Sequence, residues 1–380
     1  MSCGCFGSFA LQRKNGHSHV AGEIAGLSLE NIGHFSYNEL RAATDNFHLT
    51  NKIGRGGFGT VYKGILKGGV QVAVKTLSAE SKQGVREFLT EIKIIANVRH
   101  PNLVALIGCC AEGDNRILVY EYIENRSLDR VLLGRNSDQV KLQWERRSAI
   151  CLGTARGLTY LHEELVPRIV HRDIKASNIL LDNDFLPKIG DFGLAKLFPD
   201  NITHISTRIA GTIGYLAPEY ALGGHLTTKA DIYSFGVLIL EVVSGRSSSN
   251  PRWGRNHKLL LQWAWELYEE GSVLELVDPV LKNYPEEEVV RYITVALFCT
   301  QAAANRRPPM SKVVEMLLRT TQLNEKELTA PGFFSGSRGS SMRKASTGST
   351  SSQIQSVSGP PERHSSDPKM NTKICKTLCK

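Results

Sequence analysis

Two short polar motifs near the middle of the chain contain the residue types needed to transfer a phosphoryl group. The first is the run His171-Arg172-Asp173-Ile174-Lys175-Ala176-Ser177-Asn178, and the second, Asp191-Phe192-Gly193, begins thirteen residues after Asn178. Carboxylate and amide oxygens bind magnesium, a further carboxylate can orient an acceptor hydroxyl, and a lysine offsets charge on the phosphoryl group. Either motif alone could occur by chance, but both at this spacing indicate phosphoryl transfer from a nucleoside triphosphate.

A glycine-rich segment upstream is suited to approach phosphates. Residues Gly54, Arg55, Gly56, Gly57, Phe58 and Gly59 have the spacing G-x-G-x-x-G, which also fits a dinucleotide-binding turn that opens a helix. The β-branched and aromatic residues Thr60, Val61 and Tyr62 follow instead, and Gly68-Gly69 then predicts a hairpin turn. We therefore expect a strand-turn-strand flap over a nucleotide, because a backbone without Cβ atoms can lie close to phosphate.

The strand after this turn should present a lysine to the nucleotide. Side chains alternate along a strand, so Ala73 and Lys75 point to one face, where a small residue suits adenine and an ammonium suits phosphate. A half-buried ammonium needs a counter-charge to keep its proton. Apolar residues at helical spacing predict an amphipathic helix over 81–98, and Glu91 adjoins its apolar face. Glu91 is the expected partner of Lys75, and the alternative is an ordinary solvated carboxylate.

These motifs lie within a resemblance that runs from about Phe47 to Leu323. In order and without a missing block, the chain resembles the eukaryotic protein kinases through Ile53 to Val61, Ala73-Val74-Lys75, Glu91, Tyr120-Glu121-Tyr122, residues 171–178, Asp191-Phe192-Gly193, Ala217-Pro218-Glu219, Asp231 and Arg307. The lead-in from Phe35 to Phe47 and the stretch from Gly211 to Glu219 are most similar to plant receptor-like cytoplasmic kinases of the interleukin-receptor-associated-kinase (Pelle-like) group. The resemblance implies an α+β, bilobal protein-kinase fold, with a small antiparallel β-sheet lobe, one main helix and a larger, mostly helical lobe.

The resemblance also implies a role for each matching position. Asp173 would orient the substrate hydroxyl and accept its proton, and Lys175 would neutralise charge on the transferred group. Asn178 and Asp191 would hold Mg²⁺, for which Mn²⁺ could substitute, and Lys75 would hold the α- and β-phosphates of ATP. The other residues expected to bind ATP are Ile53, Gly54, Arg55, Gly56, Gly57, Phe58, Gly59, Ala73 and Glu91, with Glu121 and Ile123 through their backbones and Val61 and Leu180 around the adenine ring. Arg307 is expected to pair with Glu219 as a structural clamp.

The expected activity is that of a protein serine/threonine kinase in intracellular signalling, which transfers the γ-phosphoryl group of Mg-ATP to protein hydroxyls and phosphorylates itself. Lys175, two residues after Asp173, and Thr212 before Ala217 are similar to serine/threonine kinases, while dual specificity stays open. The expected partners are protein substrates and an upstream receptor kinase. The alternative is a signalling scaffold with a kinase-shaped domain. No chemically required position is substituted, which favours the enzyme.

Regulatory residues are expected around the catalytic aspartate, at Arg172, Lys196, Thr203, Ser206, Thr207 and Thr212. Arg172 should leave a guanidinium without a counter-ion, and Lys196 by resemblance adds a second cation. A phosphate on Ser206 or Thr207 would gain charge-assisted hydrogen bonds and order the segment. The alternative is that these hydroxyls only keep the loop soluble. The hydroxyl of Thr212 is expected to bond the catalytic groups directly.

Helical periodicity dominates the second half of the chain. It predicts helices over 142–162, 229–244, 259–270, 285–300 and 310–323. The polar stretches 126–145 and 246–258 are predicted to be exposed loops.

Composition fits a globular enzyme with polar ends. The chain has 380 residues, of which 41% are hydrophobic and 22% charged, and it has no apolar run long enough to span a membrane. The net charge is +9, but residues 331–380 alone contain eight Lys/Arg against two Asp/Glu. The folded part is therefore close to neutral, and no basic stripe with interleaved aromatic residues indicates a nucleic-acid partner.

The two ends are expected to lie outside the enzyme. The predicted organisation is a flexible segment over 1–34, a lead-in over 35–46, a kinase domain over 47–323 (small lobe 47–121, large lobe 122–323) and a disordered, basic, Ser-rich tail over 324–380. No signal peptide is visible, so a cytoplasmic protein is expected. S-acylation of Cys3 and Cys5 would attach it to the cytoplasmic face of the plasma membrane, since two acyl chains suffice for stable anchoring. The alternative is an inert N-terminus.

Overall fold

The computed structural model describes residues 32–56, 59–78, 82–134, 142–199, 202–248 and 259–333. These residues form a small lobe built on a β-sheet and a larger, mostly helical lobe. The predicted bilobal α+β fold is therefore confirmed. Within these ranges, none of the helices combines the length and the apolar character that a membrane crossing requires.

The small lobe is built on a six-stranded sheet. Its strands are β1 Gly33–His34, β2 Lys52–Gly56, β3 Gly59–Ile65, β4 Gln71–Leu77, β5 Leu106–Cys110 and β6 Arg116–Glu121. Their spatial order is β1-β5-β6-β4-β3-β2, and every pairing is antiparallel except that of β1 with β5. Gly68 and Gly69, with φ of +98° and +85°, form the turn between β3 and β4. The register sets Lys75 on β4 opposite Val61 on β3.

The segment before the predicted domain boundary belongs to the small lobe. Helix α1 (Tyr37–Ala43) follows β1, and a capping box at Ser36 satisfies the amides of its first turn. Its Leu40 is completely buried against the outer face of the sheet. Residues 32–34, predicted to belong to a flexible segment, and 35–46, predicted to be a lead-in to the kinase domain, cover apolar sheet surface that would otherwise face water.

Helix α2 (Lys82–Ile95) packs against strands β4 and β6. Phe88 and Ile92 on its inner face are almost completely buried, which agrees with the periodicity that predicted a helix over 81–98. The same face directs Glu91 into the lobe, where its side chain has no solvent exposure. The packing of this helix through its apolar face therefore also positions the carboxylate of Glu91.

The large lobe is a helical assembly around one apolar helix. Its helices are α3 Leu128–Leu132, α4 Trp144–Thr159, α5 Pro218–Gly223, α6 Thr228–Ser244, α7 Leu260–Glu269, α8 Glu286–Cys299 and α9 Met310–Leu317. Three two-stranded ladders join β7 Arg168–Val170 to β10 Lys196–Phe198, β8 Ile179–Leu181 to β9 Pro187–Ile189, and β11 Ile205–Ser206 to β12 His225–Leu226. Every residue of α6 from 230 to 244 is buried, so this helix forms the centre of the lobe.

Two predicted boundaries in the large lobe are wrong. The stretch 126–145 was predicted to be a loop, but it contains helix α3, whose Leu128 and Leu132 are buried. The helix predicted over 310–323 ends at Leu317, because Arg319 adopts a left-handed φ of 62° that breaks the helix. Most of the other predicted loop, residues 249–258, lies outside the described residues.

The first part of the predicted C-terminal tail is packed on the large lobe. A 3₁₀ turn spans Glu325–Glu327, and Pro331 and Gly332 are buried. The prediction of disorder from residue 324 is therefore wrong as far as residue 333, because apolar side chains such as Leu328 and several hydrogen bonds hold this part of the chain. For residues 334–380 disorder stays a prediction.

Candidate active site

A cleft of about 920 Å³ separates the two lobes and is large enough for a nucleotide. The predicted site residues that line it are Ile53, Gly54, Arg55, Gly56, Gly59, Val61, Ala73, Lys75, Glu121, Ile123, Lys175, Asn178, Leu180 and Asp191. Gly57 and Phe58 lie outside the described residues. Sequence reasoning did not assign Val104 and Gly190, which also line the cleft, because neither has a chemical signature in the sequence.

The glycine-rich hairpin forms the roof of the cleft. Strands β2 and β3 pair so that Gly56 lies opposite Gly59. Gly59 has a φ of +156°, and a Cβ at this position would lie 2.0 Å from the carbonyl oxygen of Thr76. Only glycine can therefore occupy position 59 without displacing strand β4.

Three charged side chains meet at the back of the cleft. Lys75 Nζ lies 2.6 Å from Glu91 Oε1 and 2.8 Å from Asp191 Oδ1, so the expected pair with Glu91 is present. Burial alone would lower the pKa of Lys75, but the two carboxylates raise it above its usual range. Burial would likewise raise the pKa of Asp191, but Lys75 lowers it. The lysine is therefore held as a cation and the aspartate as an anion.

Tyr120 fixes the orientation of the glutamate in this group. Its hydroxyl donates a hydrogen bond to Oε2 of Glu91, while Oε1 of the same carboxylate accepts from Lys75. Burial raises the pKa of Glu91, and Lys75 opposes that shift. Sequence reasoning used Tyr120 only as a mark of resemblance, since no local pattern links it to a residue 29 positions away.

The catalytic candidates form a second cluster on the large-lobe side of the cleft. Lys175 Nζ lies 2.6 Å from Asp173 Oδ2 and donates to Thr212 Oγ1 at 2.9 Å. Thr212 Oγ1 in turn donates to Asp173 Oδ1 at 2.7 Å. Asn178 Nδ2 donates to the backbone oxygen of Asp173 at 2.8 Å and to Oδ2 at 3.1 Å. Both oxygens of the Asp173 carboxylate are therefore held in place. A proton acceptor needs such a fixed orientation toward the hydroxyl that it deprotonates.

Helix α6 holds the loop 171–178 in place through the buried carboxylate of Asp231. Asp231 accepts hydrogen bonds from the backbone amides of His171 at 2.7 Å and Arg172 at 2.8 Å. It also lies 2.9 Å from Nε2 of His162. Burial would raise the pKa of Asp231, but these hydrogen bonds lower it. The bonds hold Arg172 at a left-handed φ of 72°, which a non-glycine residue adopts only when its surroundings compensate.

The oxygen atoms of Asn178 and Asp191 suit a hard divalent cation. Asn178 uses its amide nitrogen for Asp173, which leaves its carbonyl oxygen for the cleft. Asp191 uses Oδ1 for Lys75, which leaves Oδ2. Among the described residues there is no cluster of three or more His, Cys, Asp or Glu that would form a complete metal site. Magnesium favours sites with one or two protein oxygens, in which phosphates and water supply the remaining ligands.

Comparison with known proteins identifies the family. Residues 47–317 match the family described as protein tyrosine and serine/threonine kinase. The chain belongs to this family. Cold-responsive protein kinase 1 of Arabidopsis thaliana is 54% identical to this kinase over 321 residues, which are 84% of this chain and 82% of the relative.

Receptor-like proteins of the same plant are similar to this chain at about the same level of identity. Two proteins named probable LRR receptor-like serine/threonine-protein kinases are 55% identical over 324 residues and 56% identical over 296 residues. The matched parts are 85% and 78% of this chain but only 32% and 28% of the two relatives. The chain therefore spans less than a third of these receptor-like relatives. The predicted resemblance to plant receptor-like kinases and the predicted enzyme class are confirmed.

The kinase has two cations near the activation segment, the stretch 191–219. The guanidinium of Arg172 donates to the carbonyl oxygens of Leu194 and Arg208, both at 2.9 Å, and to the hydroxyl of Tyr220 at 2.6 Å. No carboxylate pairs with Arg172 in the part of the chain that the structure describes. Burial lowers the pKa of Lys196, and the neighbouring Arg172 lowers it further, which is the effect of two like charges held close together.

The predicted phosphorylation sites lie on and around β11 in this segment. Thr203 and Ser206 are exposed and Thr207 is half-buried. The amide of Thr207 donates to Gly224 at 3.2 Å, and the next residue, Arg208, accepts from Arg172. Thr207 is therefore the neighbour in sequence of a residue whose backbone binds Arg172, the cation that a phosphate would need.

The predicted structural clamp of the kinase is present. Nη1 and Nη2 of Arg307 donate to the two carboxylate oxygens of Glu219 at 2.7 and 2.8 Å. Arg307 is fully buried and also donates to the backbone oxygen of Gln301 at 2.9 Å. This bidentate pair fixes helix α5, which follows the activation segment, to the segment before α9.

Proposed function

We propose that this kinase transfers the γ-phosphoryl group of magnesium-bound ATP to serine and threonine hydroxyls of protein substrates. The observation on which this proposal rests is the joint geometry of the two clusters. Lys75, Glu91 and Asp191 meet on one side of the cleft within hydrogen-bonding distance, and Asp173, Lys175 and Thr212 do so on the other. A nucleotide in the cleft would have its phosphates between them.

Each side chain then has one task. The Lys75 ammonium binds phosphate oxygens, and Asn178 and Asp191 hold the cation, with Mn²⁺ as a substitute for Mg²⁺. The bound cation supplies charge neutralisation on the phosphates. Asp173 accepts the proton of the substrate hydroxyl, and Lys175 stays close to the same carboxylate, where it offsets negative charge on the transferred group.

Adenine recognition is proposed for the strip that joins the lobes. Among the residues that the structure describes, the amide of Ile123 has no backbone acceptor, and it lines the cleft with Glu121. Val61 and Leu180 line the same cleft from the two lobes. An adenine edge against Ile123 with the ring between these apolar side chains would satisfy that amide.

The preference for serine and threonine is supported by the bridge from Lys175 through Thr212 to Asp173. This bridge occupies the space immediately beside the proton acceptor. Dual specificity is tested by phosphoamino-acid analysis of the autophosphorylated protein. Phosphotyrosine as the only product would contradict the proposed preference.

The second candidate is a scaffold whose kinase-shaped domain only binds partners. The geometry gives this reading no support, because the side chains of both clusters lie within hydrogen-bonding distance of one another as phosphoryl transfer requires. The deciding experiment is transfer from labelled ATP to a protein substrate by wild type, Lys75→Met and Asp191→Asn. Both variants should lose at least about 100-fold in kcat, since electrostatic contacts to the phosphates supply several kcal/mol of transition-state stabilisation.

Lys93→Met is the matched control for that experiment. Lys93 is an exposed lysine of helix α2, two residues after Glu91, so its loss should leave kcat unchanged. Equal turnover by wild type and Lys75→Met would favour the scaffold. Calorimetric titration with Mg-ATP distinguishes a lost catalytic step from lost nucleotide binding.

The proposed setting is signalling beneath a membrane receptor, on the basis of the similarity to LRR receptor-like kinases. Cys3 and Cys5, which lie outside the described residues, are the proposed S-acylation sites for attachment to the cytoplasmic face of the plasma membrane. An unchanged membrane fraction for the Cys3→Ser/Cys5→Ser double variant would exclude this attachment.

A further inference from the structure

The side chain of Tyr220, on helix α5, joins the activation segment to the catalytic loop without lining the nucleotide cleft. It is 1% exposed, and it is absent from the residues that surround the cleft. Nη2 and Nε of Arg172 donate to its hydroxyl at 2.6 and 3.2 Å. The amide of Ala210 donates to the same oxygen at 2.9 Å, and the hydroxyl itself donates to the carbonyl oxygen of Arg208 at 3.3 Å.

These hydrogen bonds use the full capacity of the hydroxyl. A phenol oxygen offers one donor and two acceptor sites. The donor is directed to the backbone of Arg208, one acceptor site receives the amide of Ala210, and the other receives the guanidinium of Arg172. No other side chain in the part of the chain that the structure describes accepts from that guanidinium, whose remaining acceptors are two backbone carbonyl oxygens.

Helix α5 gives the hydroxyl a fixed position. The residue before Tyr220 is Glu219, which forms the bidentate ion pair with the buried Arg307 at 2.7 and 2.8 Å. At the other end of the helix, the amide of Gly224 donates to the carbonyl oxygen of Tyr220 at 2.9 Å. A bidentate pair restricts geometry as well as adding energy, so we expect Tyr220 to stay in place when the activation segment moves.

The amide that binds this hydroxyl lies two residues before the side chain that orients the proton acceptor. Ala210 is followed by Gly211 and Thr212, and Thr212 Oγ1 donates to Asp173 Oδ1 at 2.7 Å. Gly211 has a φ of +126°, and a Cβ on it would lie 2.7 Å from the carbonyl oxygen of Arg172. The stretch 210–212 therefore lies directly against the catalytic loop, and a displacement of Ala210 would also displace Thr212.

The same hydroxyl binds the catalytic loop on the other side of that hydrogen bond. Arg172 immediately precedes Asp173, and its amide is held by Asp231 at 2.8 Å. Tyr220 thus binds one residue next to Asp173 and one residue close to Thr212. One oxygen atom therefore sets the position of the segment relative to the loop at the place where the two must meet.

We propose that Tyr220 is a positioning residue for phosphoryl transfer, whose hydroxyl holds the stretch 208–212 against the catalytic loop so that Thr212 meets Asp173. This inference rests on the proposed function. The hydroxyl does not line the cleft, so it acts through the backbone of the activation segment and not by contact with the nucleotide. A misplacement of about 1 Å can lower a rate by up to 100-fold, which is why a group outside the cleft can affect kcat.

Tyr220→Phe tests the proposal, because it removes the hydroxyl and retains the ring. The assay uses full-length, phosphatase-treated protein and an added protein substrate, so that all samples begin in the same state. We expect kcat to fall by about 10-fold. KM for ATP, and the affinity for Mg-ATP measured by calorimetry, should stay within about twofold of wild type, since Tyr220 does not line the cleft.

The contrary results are clear. An unchanged kcat in Tyr220→Phe would overturn the proposal. An equal loss of nucleotide affinity would also overturn it, because that result would show a general structural role. Inactivity of the wild type itself would contradict the proposed function, whereas an active wild type that Tyr220→Phe equals contradicts only this inference.

Tyr233→Phe is the matched control. Tyr233 is 3% exposed, and its hydroxyl donates to the carbonyl oxygen of Gly332 at 2.7 Å. The variant therefore removes a buried tyrosine hydroxyl and its hydrogen bond without altering the contacts of the stretch 208–212, and it should keep the kcat of wild type. The same loss of kcat in both variants would overturn the specific role of Tyr220.

A double-mutant cycle with Thr212→Val tests the route of the effect. Because Tyr220 acts by placing Thr212, Tyr220→Phe should lower kcat by less than about threefold once the hydroxyl of Thr212 has been removed. Independent effects would multiply, so that Tyr220→Phe would again cost about 10-fold in the Thr212→Val background. That outcome would contradict the proposed coupling between the two hydroxyls.

Discussion

At the scale of single residues, Thr212 connects the proton acceptor to its neighbouring cation. Its hydroxyl donates to Asp173 at 2.7 Å and accepts from Lys175 at 2.9 Å. This is the arrangement expected from the sequence, and it makes Thr212 a positioning residue. Its effect must therefore depend on the hydroxyl and not on the shape of the side chain.

Thr212→Val and Thr212→Ser separate these two contributions. We expect Thr212→Val to lower kcat by about 10- to 100-fold, because a catalytic group that is misplaced by about 1 Å loses up to 100-fold in rate. KM for ATP should change little, since Thr212 does not line the nucleotide cleft. Thr212→Ser retains the hydroxyl and should stay close to wild type. If valine and serine variants have equal kcat values, the hydroxyl has no positioning role.

At the scale of elements, the activation segment is held by bonds that a phosphate would replace or reinforce. Arg172 is satisfied only by neutral acceptors among the described residues. Burial lowers the pKa of Lys196, and repulsion by the neighbouring Arg172 lowers it further. Introducing a dianion at Thr207 would relieve that repulsion and add charge-assisted hydrogen bonds. We propose that phosphorylation there orders the segment.

Phosphatase treatment provides the test. Dephosphorylated kinase should have a lower initial kcat and should recover during incubation with Mg-ATP, because autophosphorylation restores the ordered segment. Thr207→Ala should reproduce at least part of the loss and prevent full recovery. Ser311→Ala, an exposed hydroxyl on helix α9, is the control and should behave as wild type. Equal turnover before and after complete dephosphorylation would reject the proposal.

At the scale of the whole molecule, the central helix α6 contains a buried glutamate that links stability to pH. Burial raises the pKa of Glu241 to about 7, although hydrogen bonds from Tyr215 and the amide of Ser248 act in the opposite direction. Burial also raises the pKa of Glu87 to about 7. Between the unfolded value of 4.5 and about 7, the folded state therefore binds more protons than the unfolded chain.

The free energy of unfolding should accordingly fall as the pH rises from about 5 to about 7 and change little from these groups above it. Glu241→Gln should flatten this dependence by on the order of 1–3 kcal/mol. Urea unfolding at several pH values between 5 and 8 measures the effect, with the exposed Glu269→Gln as control. Curves for wild type and Glu241→Gln that run parallel across this range would contradict the assignment. Asp191 and Asp231, whose pKa values are lowered, act below pH 4 and do not interfere.

The sequence by itself determined those features of this kinase that depend only on the spacing of residues within one helix, strand or turn. The glycine flap, Lys75 and the helix with Glu91 follow from periodicity and from the limited ways in which glycine and alternating strands can be built. The eight residues 171–178 contain the side chains from which phosphoryl transfer was predicted. All of these features are decided by neighbours in the chain, so the sequence alone predicts them.

Tertiary structure alone decided which distant groups complete the site. Tyr120 reaches Glu91 across 29 residues, Asp231 reaches the amide of His171 across 60, and Tyr233 reaches Gly332 across 99. None of these pairs has a local signal, because each forms only when apolar faces are buried and polar atoms must find partners inside the same core. The packing of residues 328–333 was missed for this reason, because the acceptors and donors that hold them, such as Gln301 and Tyr233, are distant in sequence.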